Sequence, residues 1–336
     1  MSRIVWIEMP TLNPIVTHTY LKAIGKAYIL NKYKVKYYNV GEEISNADVR
    51  NDIFVVATAQ SVLRLASKGS RHIVLWVQGL WAEESRLRNG GLLRYKVVRV
   101  LEKIALEKCE KVFLVSNAML RYYQNEMDID LRSKAYIMPC SNEVIHDKSF
   151  YVKGKYETPS FVYAGGLQTY QCISETFEAY SRIEKIDRRA SLTILTPSVE
   201  EAESATEKYG LKRVRIEYVT GDDLVTRLSH AKYGFVIRDD SPVNRVSTPT
   251  KISSYISNGV IPIYSKSIVS FSESFQNIRY QLPYNRETFE RDYQEFEKLK
   301  IESDEIAAEY ADYFNRELDF EARYNEISTF LTSSQR

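Results

Sequence analysis

Three basic residues lie close together in the chain, around the end of one predicted strand and the start of the next predicted helix. Arg238 ends the strand YGFVIR, Arg245 lies in the polar loop that follows, and Lys251 lies in the first turn of the helix. Thr248 is expected to cap this helix, because Ser or Thr before a proline is a favoured N-cap. The helix start offers N–H groups and a positive dipole end, so the segment predicts a phosphate site. An ordinary capped helix with solvated basic residues is the alternative.

A second predicted strand end carries two glycines. Gly165 and Gly166 follow the strand SFVYAG and either let a ligand approach the backbone closely or form a tight turn. No G-x-G-x-x-G follows the first strand, which counts against a nicotinamide-dependent dehydrogenase. No G-x-x-x-x-G-K-[ST] is present, which counts against a P-loop enzyme.

The acidic residues do not predict a metal site. Asp128 and Asp130 spell a literal D-x-D, but they follow a predicted helix within polar sequence and indicate a solvated turn. Asp239 and Asp240 end a strand, yet the neighbouring basic residues already supply positive charge there. We therefore expect no essential metal.

Short buried strands alternate with helices along the whole chain, which is typical of parallel sheets covered by helices. The predicted strands are RIVWIE (3–8), VKYYNV (35–40), DIFVVAT (52–58), HIVLWVQ (72–78), KVFLVSN (111–117), KAYIMP (134–139), SFVYAG (160–165), SLTILT (191–196), VRIEYV (214–219), YGFVIR (233–238) and VIPIYS (260–265). The alternation restarts after a polar stretch near residue 155. The sequence therefore predicts two doubly wound, Rossmann-like α/β domains facing a common cleft, with ligands at the carboxyl ends of the strands.

The predicted domains are residues 1–152 and 153–318, with a C-terminal helix at about 319–336 packing back on the first. A chain of 336 residues is long enough for two cores. With 46 Lys and Arg against 44 Asp and Glu, the net charge of +2 does not indicate nucleic-acid binding. The three cysteines show no metal-ligand or redox spacing, and no signal or membrane-spanning run is visible, which favours a cytoplasmic protein.

Several segments resemble the GT-B glycosyltransferases of the family-4 type. The donor-binding half of those enzymes is similar to VRIEYVTGDDLVTRLSHAKYGFVIRDD and to TPTKISSYISNGVIPI, and their glycine loop to FVYAGGLQ. Their acceptor-facing segment is similar to HIVLWVQGLWAEES. The resemblance implies a transferase that moves a sugar, such as a hexose, from a UDP- or GDP-linked donor, without metal and with retention favoured over inversion.

The resemblance also implies which residues form the site. Arg238 and Lys251 would stabilise the leaving diphosphate, and a larger set would bind the donor. That set is Gly165, Gly166, Leu167, Gln168, Val219, Thr220, Asp240, Arg245, Ser247, Thr248 and Thr250. The expected acceptor-side residues are Asn13, His18, Gln78, Trp81 and Glu83.

The expected acceptor is a saccharide, a lipid-linked saccharide or a glycoprotein, in the assembly of bacterial cell-surface polysaccharide. Leu93, Val97, Val100 and Ile104 form one stripe of a helix after Trp81, edged by basic residues. The stripe either faces the core or lies on anionic lipid at the inner face of the plasma membrane.

The chain departs from the family at two acidic positions. Many members carry a Glu-x7-Glu pair that holds the donor, and the corresponding positions are Val246 and Ser254 here. A divergent branch is therefore expected. A non-catalytic sugar-nucleotide-binding protein and a sugar-nucleotide epimerase of the same fold are the alternatives.

Overall fold

The chain forms two compact units, each built around its own parallel six-stranded sheet. The structure, a computed structural model, describes residues 3–10, 14–88, 91–141, 143–168 and 171–333. The first unit runs to residue 142 and also contains 245–247 and the chain from 319 onward. The second unit contains 143–244 and 248–318. Two parallel sheets with flanking helices confirm the predicted α/β fold class.

The sheet of the first unit has the order β2-β1-β3-β4-β5-β6. Its elements are β1 (Ile4–Met9), α1 (Pro14–Leu30), β2 (Lys34–Asn39), β3 (Ile53–Val56), α2 (Ala59–Ser67), β4 (His72–Val77), α3 (Trp81–Leu87), α4 (Leu92–Lys108), β5 (Lys111–Leu114), α5 (Asn117–Met127) and β6 (Ala135–Ile137), joined by α14 (Tyr324–Thr332). Helix α14 packs on α1, where the Asn31 side-chain amide donates to the Ser328 carbonyl at 2.9 Å. Phe320, Ile327 and Leu331 complete the core on that side of the sheet.

The sheet of the second unit has the order β12-β11-β10-β7-β8-β9. Its elements are β7 (Ser160–Ala164), α6 (Ile173–Ile186), β8 (Ser191–Leu195), α7 (Val199–Lys208), β9 (Val214–Glu217), α8 (Asp222–Ser229), β10 (Tyr233–Val236), α10 (Thr250–Ser257), β11 (Ile261–Ser265), α11 (Val269–Ser274), β12 (Leu282–Tyr284), α12 (Phe289–Phe296) and α13 (Ser303–Glu317). A 3-10 turn, Asp147–Tyr151, precedes β7, and the short helix α9 (Pro242–Val246) precedes α10.

The central strands are buried on both faces, which explains why their sequences read as continuous apolar runs. All residues of β5, β10 and β11 are buried. The short edge strand β12 was not predicted, because its three residues contain a proline and show no alternating pattern. Within the described residues, no helix is both long and apolar enough to cross a membrane.

The division between the units falls ten residues before the predicted one at 152/153. Residues 143–152 join the second unit because they bond to the end of α10. The His146 N–H donates to the Ser257 carbonyl at 2.9 Å, and the Ser149 hydroxyl donates to the Asn258 side chain at 3.0 Å. The predicted boundary was taken from the polar composition of this stretch. Polar composition does not distinguish a linker from a segment that is held in a unit by backbone and polar side-chain hydrogen bonds.

Gly259 ends α10 with a left-handed backbone in a crowded place. Its φ is +68°, and a Cβ built there would lie 2.7 Å from both Phe150 Cδ1 and the Tyr156 hydroxyl. Gly210 has a similar φ of +63° but has nothing within 4 Å of the same position. Of these two glycines, Gly259 therefore combines a conformational demand with a steric one, and Gly210 has the conformational demand alone.

We predict that Gly259→Ala destabilises the second unit by about 2–4 kcal/mol, because left-handed strain adds to overpacking. Gly210→Ala should cost only about 1–2 kcal/mol from strain. Chemical denaturation followed by tyrosine fluorescence measures both. Equal losses in the two variants would contradict the packing described around Gly259.

Candidate functional site

The strands β7 and β10 are neighbours in the second sheet, so their carboxyl ends lie at the same edge. The glycine loop follows β7, and Arg238 follows β10 by two residues. Helix α10 starts after β10 and carries Lys251 in its first turn. The topology thus brings the two predicted catalytic residues and the predicted glycine loop to one edge of one sheet.

Gln171, which the sequence did not single out, binds both basic residues. Arg238 donates through a terminal guanidinium nitrogen to the Gln171 carbonyl oxygen at 3.0 Å. Lys251 donates through Nζ to the Gln171 side-chain oxygen at 2.9 Å. A residue that offers only neutral oxygens holds the two cations close to each other without neutralising their charge.

The environment of Lys251 disfavours its charge. Burial, and secondly repulsion from Arg238, hold the pKa of Lys251 well below its usual value. Its ammonium lies 4.1 Å from the centre of the Tyr163 ring, a cation–π contact that opposes this effect only in part. Arg238 is 8% exposed and stays charged in any protein environment. An anion placed between them would relieve both the desolvation and the repulsion.

Gly165 lies directly against Lys251. Its φ is +138°, a conformation that residues with a side chain rarely adopt, and a Cβ built there would lie 3.1 Å from Lys251 Nζ. Gly166 is similarly tight, since its Cβ would come within 2.6 Å of the Gln168 amide nitrogen. Leu167 is buried and packs in the core, so it holds the loop in place.

The end of β10 is fixed by polar contacts around Asp239. Its backbone N–H donates to Cys172 Sγ at 3.2 Å, and the buried Asn244 side chain donates to its carbonyl oxygen and its carboxylate. Asp240, the predicted partner of sugar or ribose hydroxyls, is exposed. These bonds hold the chain just beyond Arg238.

Helix α10 begins at Thr250, and its N-cap differs from the predicted one. Its N-cap is Pro249, which has an extended ψ of 122° and makes no side-chain capping bond. The prediction that Thr248 caps it is wrong, because the proline ring fixes φ but leaves ψ free to stay extended. Thr250 is therefore the first helical residue, and Lys251 the second.

Four other predicted donor-binding residues lie on elements that do not adjoin the glycine loop in the second sheet. They are Val219, Thr220, Arg245 and Ser247. Val219 and Thr220 follow β9, an edge strand separated from β7 by β8, and Thr220 is exposed. Arg245 lies in the short helix α9, not in a loop, and belongs with Ser247 to the first unit. The structure therefore groups Arg238, Lys251, Gly165 and Gly166 more closely than the rest of the predicted set.

The first unit contains a cavity of about 590 Å³ beyond the carboxyl ends of its strands. Two predicted acceptor-side residues, Gln78 and Trp81, line it, as do Thr17, Glu84 and Arg88, which the sequence did not single out. Thr17 donates to the Gln78 side-chain oxygen at 3.4 Å. The cavity is lined by both apolar and polar groups, as small-molecule sites usually are.

A buried carboxylate fixes the start of α3 at the cavity wall. Glu102 is 3% exposed and accepts the backbone N–H groups of Trp81 and Ala82, at 3.0 and 2.9 Å, and the Tyr123 hydroxyl at 2.9 Å. These bonds satisfy the free N–H groups of the helix start and orient Trp81. Burial raises the pKa of Glu102, and it likewise raises the pKa of Glu84.

The other predicted acceptor-side residues have different surroundings. Glu83 is buried and accepts the hydroxyls of Tyr95 and Tyr122 at 2.8 and 2.7 Å, so it ties α3 to α4 and α5. His18 lies in α1, where its Nε2 is 2.9 Å from the Pro10 carbonyl oxygen. Asn13 lies outside the described residues. Within α3 the carboxylate that lines the cavity is that of Glu84, not Glu83. Glu84 is three residues after Trp81, so helical spacing alone places the two on the same face and could have suggested Glu84.

The acidic residues of the D-x-D triplet have structural partners. Asp128 ends α5 in a left-handed conformation, and Asp130 binds Arg132 through a 2.6 Å ion pair that lowers the pKa of Asp130 to about 2. Within the described ranges, no group of three or more His, Cys, Asp and Glu residues is placed to hold a metal ion.

No protein-family profile and no curated protein matches the chain. Solved structures do. Sucrose-phosphate synthase from Thermosynechococcus elongatus aligns with a TM-score of 0.69 at 12% identity over 98% of each chain. The E. coli trehalose-6-phosphate protein bound with UDP-2-fluoro glucose gives 0.67 at 10% identity over 99% of this chain and 100% of that one.

A third similar structure is S. aureus TarM in complex with UDP and saccharides, with a TM-score of 0.61 at 10% identity over 84% of this chain and 56% of TarM. Glycosyltransferases of the GT-B type thus share the fold of this chain at only 10–12% sequence identity. The comparisons confirm the predicted likeness at the level of the fold: the chain has the GT-B fold.

Proposed function

We propose that the protein is a glycosyltransferase that moves a sugar from a nucleotide-diphosphate sugar to a saccharide or glycoconjugate acceptor. The observation that carries this proposal is the pair Arg238 and Lys251, both bonded to Gln171, with Gly165 packed against Lys251. Two adjacent cations with a glycine wall form a site for a diphosphate, the leaving group of this reaction.

The proposed mechanism uses the pair to stabilise charge that develops during the reaction. When the anomeric C–O bond of the donor breaks, negative charge grows on the leaving diphosphate. Arg238 and Lys251 donate hydrogen bonds to its oxygens, and the positive dipole end at the start of α10 adds to their effect. A bound phosphate favours the charged form of Lys251 and so opposes the lowering of its pKa by burial. Because these groups supply the positive charge, we propose that no metal is essential.

The acceptor is proposed to bind in the cavity of the first unit. Trp81 offers an aromatic face for a sugar ring, and Glu84 offers a carboxyl group with a raised pKa at the cavity wall. Such a group forms hydrogen bonds with acceptor hydroxyls and is suited to take up a proton from the attacking hydroxyl.

The finer points of the proposal rest on the resemblance. We propose UDP or GDP as the donor nucleotide; UDP occurs in two of the similar structures. We propose retention of the anomeric configuration, a role in cell-surface polysaccharide assembly, and a cytoplasmic location with peripheral contact at the inner face of the plasma membrane. Release of the nucleoside diphosphate only when acceptor is present would support transfer. Binding without turnover, or interconversion of the donor sugar, would support the two alternatives instead.

Lys251→Met removes the charge while keeping the length of the side chain. We predict a roughly 10- to 100-fold weaker affinity for the nucleoside diphosphate, because a hydrogen bond to a charged group contributes about 1.5–3 kcal/mol. Arg238→Met should lose a similar amount. Isothermal titration with UDP and GDP measures both, and Lys185→Met, an exposed lysine in the last turn of α6, is the matched control. Unchanged affinity in both site variants would refute this donor site.

Glu84→Gln keeps the shape of the side chain and removes its acid–base function. With donor and acceptor identified by screening nucleotide sugars against saccharide primers, we predict a kcat lowered roughly 10²- to 10⁴-fold. The affinity for the nucleoside diphosphate should stay unchanged, because Glu84 lies in the other unit. Glu126→Gln, on the exposed face of α5, is the control. Normal kcat in Glu84→Gln would exclude Glu84 from proton transfer.

Chelation tests the proposed source of positive charge. We predict that EDTA leaves the rate of nucleoside diphosphate release unchanged, since Arg238 and Lys251 stabilise the leaving group. Loss of turnover in EDTA with recovery on addition of Mn²⁺ or Mg²⁺ would show that a metal shares this role.

A further inference from the structure

Helix α4 exposes an aliphatic stripe on the surface of the first unit. Leu93, Val97, Val100 and Ile104, here called the α4 stripe, are 78%, 51%, 58% and 37% exposed. Their spacing of four, three and four residues places them on one face along about three helical turns. The stripe was predicted either to face the core or to meet lipid, and its exposure shows that the core-facing interpretation is wrong.

The opposite face of α4 makes the contacts with the protein. Val98, Glu102, Ala105 and Leu106 are its buried residues, and they face α2, α3 and the sheet. The helix is therefore anchored by one face and presents the other outward. A monomeric protein rarely leaves several large aliphatic side chains together in water, so this face is suited to a partner.

The charges around the stripe specify the kind of partner. Arg94, Lys96 and Lys108 are exposed along its two edges, whereas Glu107 is the only acidic residue of α4 that is exposed. The other acid of the helix, Glu102, is buried beneath α3. An aliphatic stripe edged by basic residues complements a surface with an apolar interior and a negative rim.

Helix α3 continues this surface toward the cavity. Leu87, at its last position, is 58% exposed, and the neighbouring Arg86 and Arg88 are exposed as well. The same short helix lines the cavity with Trp81 and Glu84. A single rigid element therefore joins the outward face to the cavity proposed for the acceptor.

We propose that α4 and the end of α3 dock the protein on an anionic lipid bilayer. The α4 stripe inserts into the boundary between headgroups and acyl chains, and the flanking Lys and Arg side chains bind lipid phosphates. The inference rests on the proposed function in one respect: the docked cavity receives a saccharide acceptor that is carried on a lipid. A second copy of the chain is a poorer occupant, because it would bring two sets of basic residues together.

Vesicle binding tests the proposal with full-length protein. We expect cosedimentation with phosphatidylcholine vesicles that contain phosphatidylglycerol, much weaker binding to phosphatidylcholine alone, and release by high salt. The double variant Arg94→Glu/Lys96→Glu should bind at least about 25-fold more weakly, at roughly fivefold for each basic residue lost. Leu93→Ser/Val97→Ser should bind more than about tenfold more weakly and keep its salt dependence.

Matched controls change exposed residues of the same types in the second unit. Arg188→Glu/Lys208→Glu and Val144→Ser/Ile186→Ser should bind vesicles as the unmodified protein does. Thermal unfolding checks that every variant is folded, and UDP or GDP affinity, expected to be unchanged, separates membrane docking from the donor site. Absence of binding to the anionic vesicles, or equal loss in the control variants, would overturn the proposal. If the unmodified protein forms dimers and Leu93→Ser/Val97→Ser dissociates them, the α4 stripe binds a second copy of the chain instead.

Discussion

The candidate donor site depends on holding two positive charges close together in a poorly hydrated place. Arg238 and Lys251 bond to the same residue, Gln171, and neither of these two bonds supplies a negative charge. Such an arrangement costs stability in the free protein, because desolvation and repulsion both act against it. A bound diphosphate would offset this cost, because it brings negative charge to both side chains with several oxygens at once.

The topology of the second sheet brings Arg238, Lys251 and Gln171 together. Parallel strands β7 and β10 end at one edge of the sheet, so Gln171 becomes a neighbour of Arg238 and Lys251, which are 67 and 80 positions away in the sequence. The backbone of Gly165 lies where a side chain would push Lys251 aside. In the first unit the same kind of sheet edge carries a cavity, and the buried carboxylate of Glu102 orients the wall that contains Trp81.

The parts of the structure that follow from repetitive patterns could be predicted. Eleven of the strands were predicted, because buried parallel strands appear as apolar runs, and the two-sheet architecture followed from them. Individual side-chain partners could not be predicted. Gln171 has no distinctive spacing, and Glu83 and Glu84 are adjacent in sequence, yet one is bonded to two tyrosines while the other lines the cavity. The exposure of the α4 stripe could not be predicted from the sequence either. A periodic pattern shows that one face of a helix is apolar, but it does not show what covers that face.

The pKa of Lys251 tests the central claim most directly. Nuclear magnetic resonance of protein labelled with ¹³C at lysine Cε, assigned with Lys251→Met, follows this pKa before and after saturation with whichever of UDP and GDP binds. The account predicts a pKa well below that of an ordinary lysine in the free protein and a clear rise when the diphosphate binds, with net proton uptake between the two values. An ordinary pKa in the free protein, or no rise on binding, would contradict it.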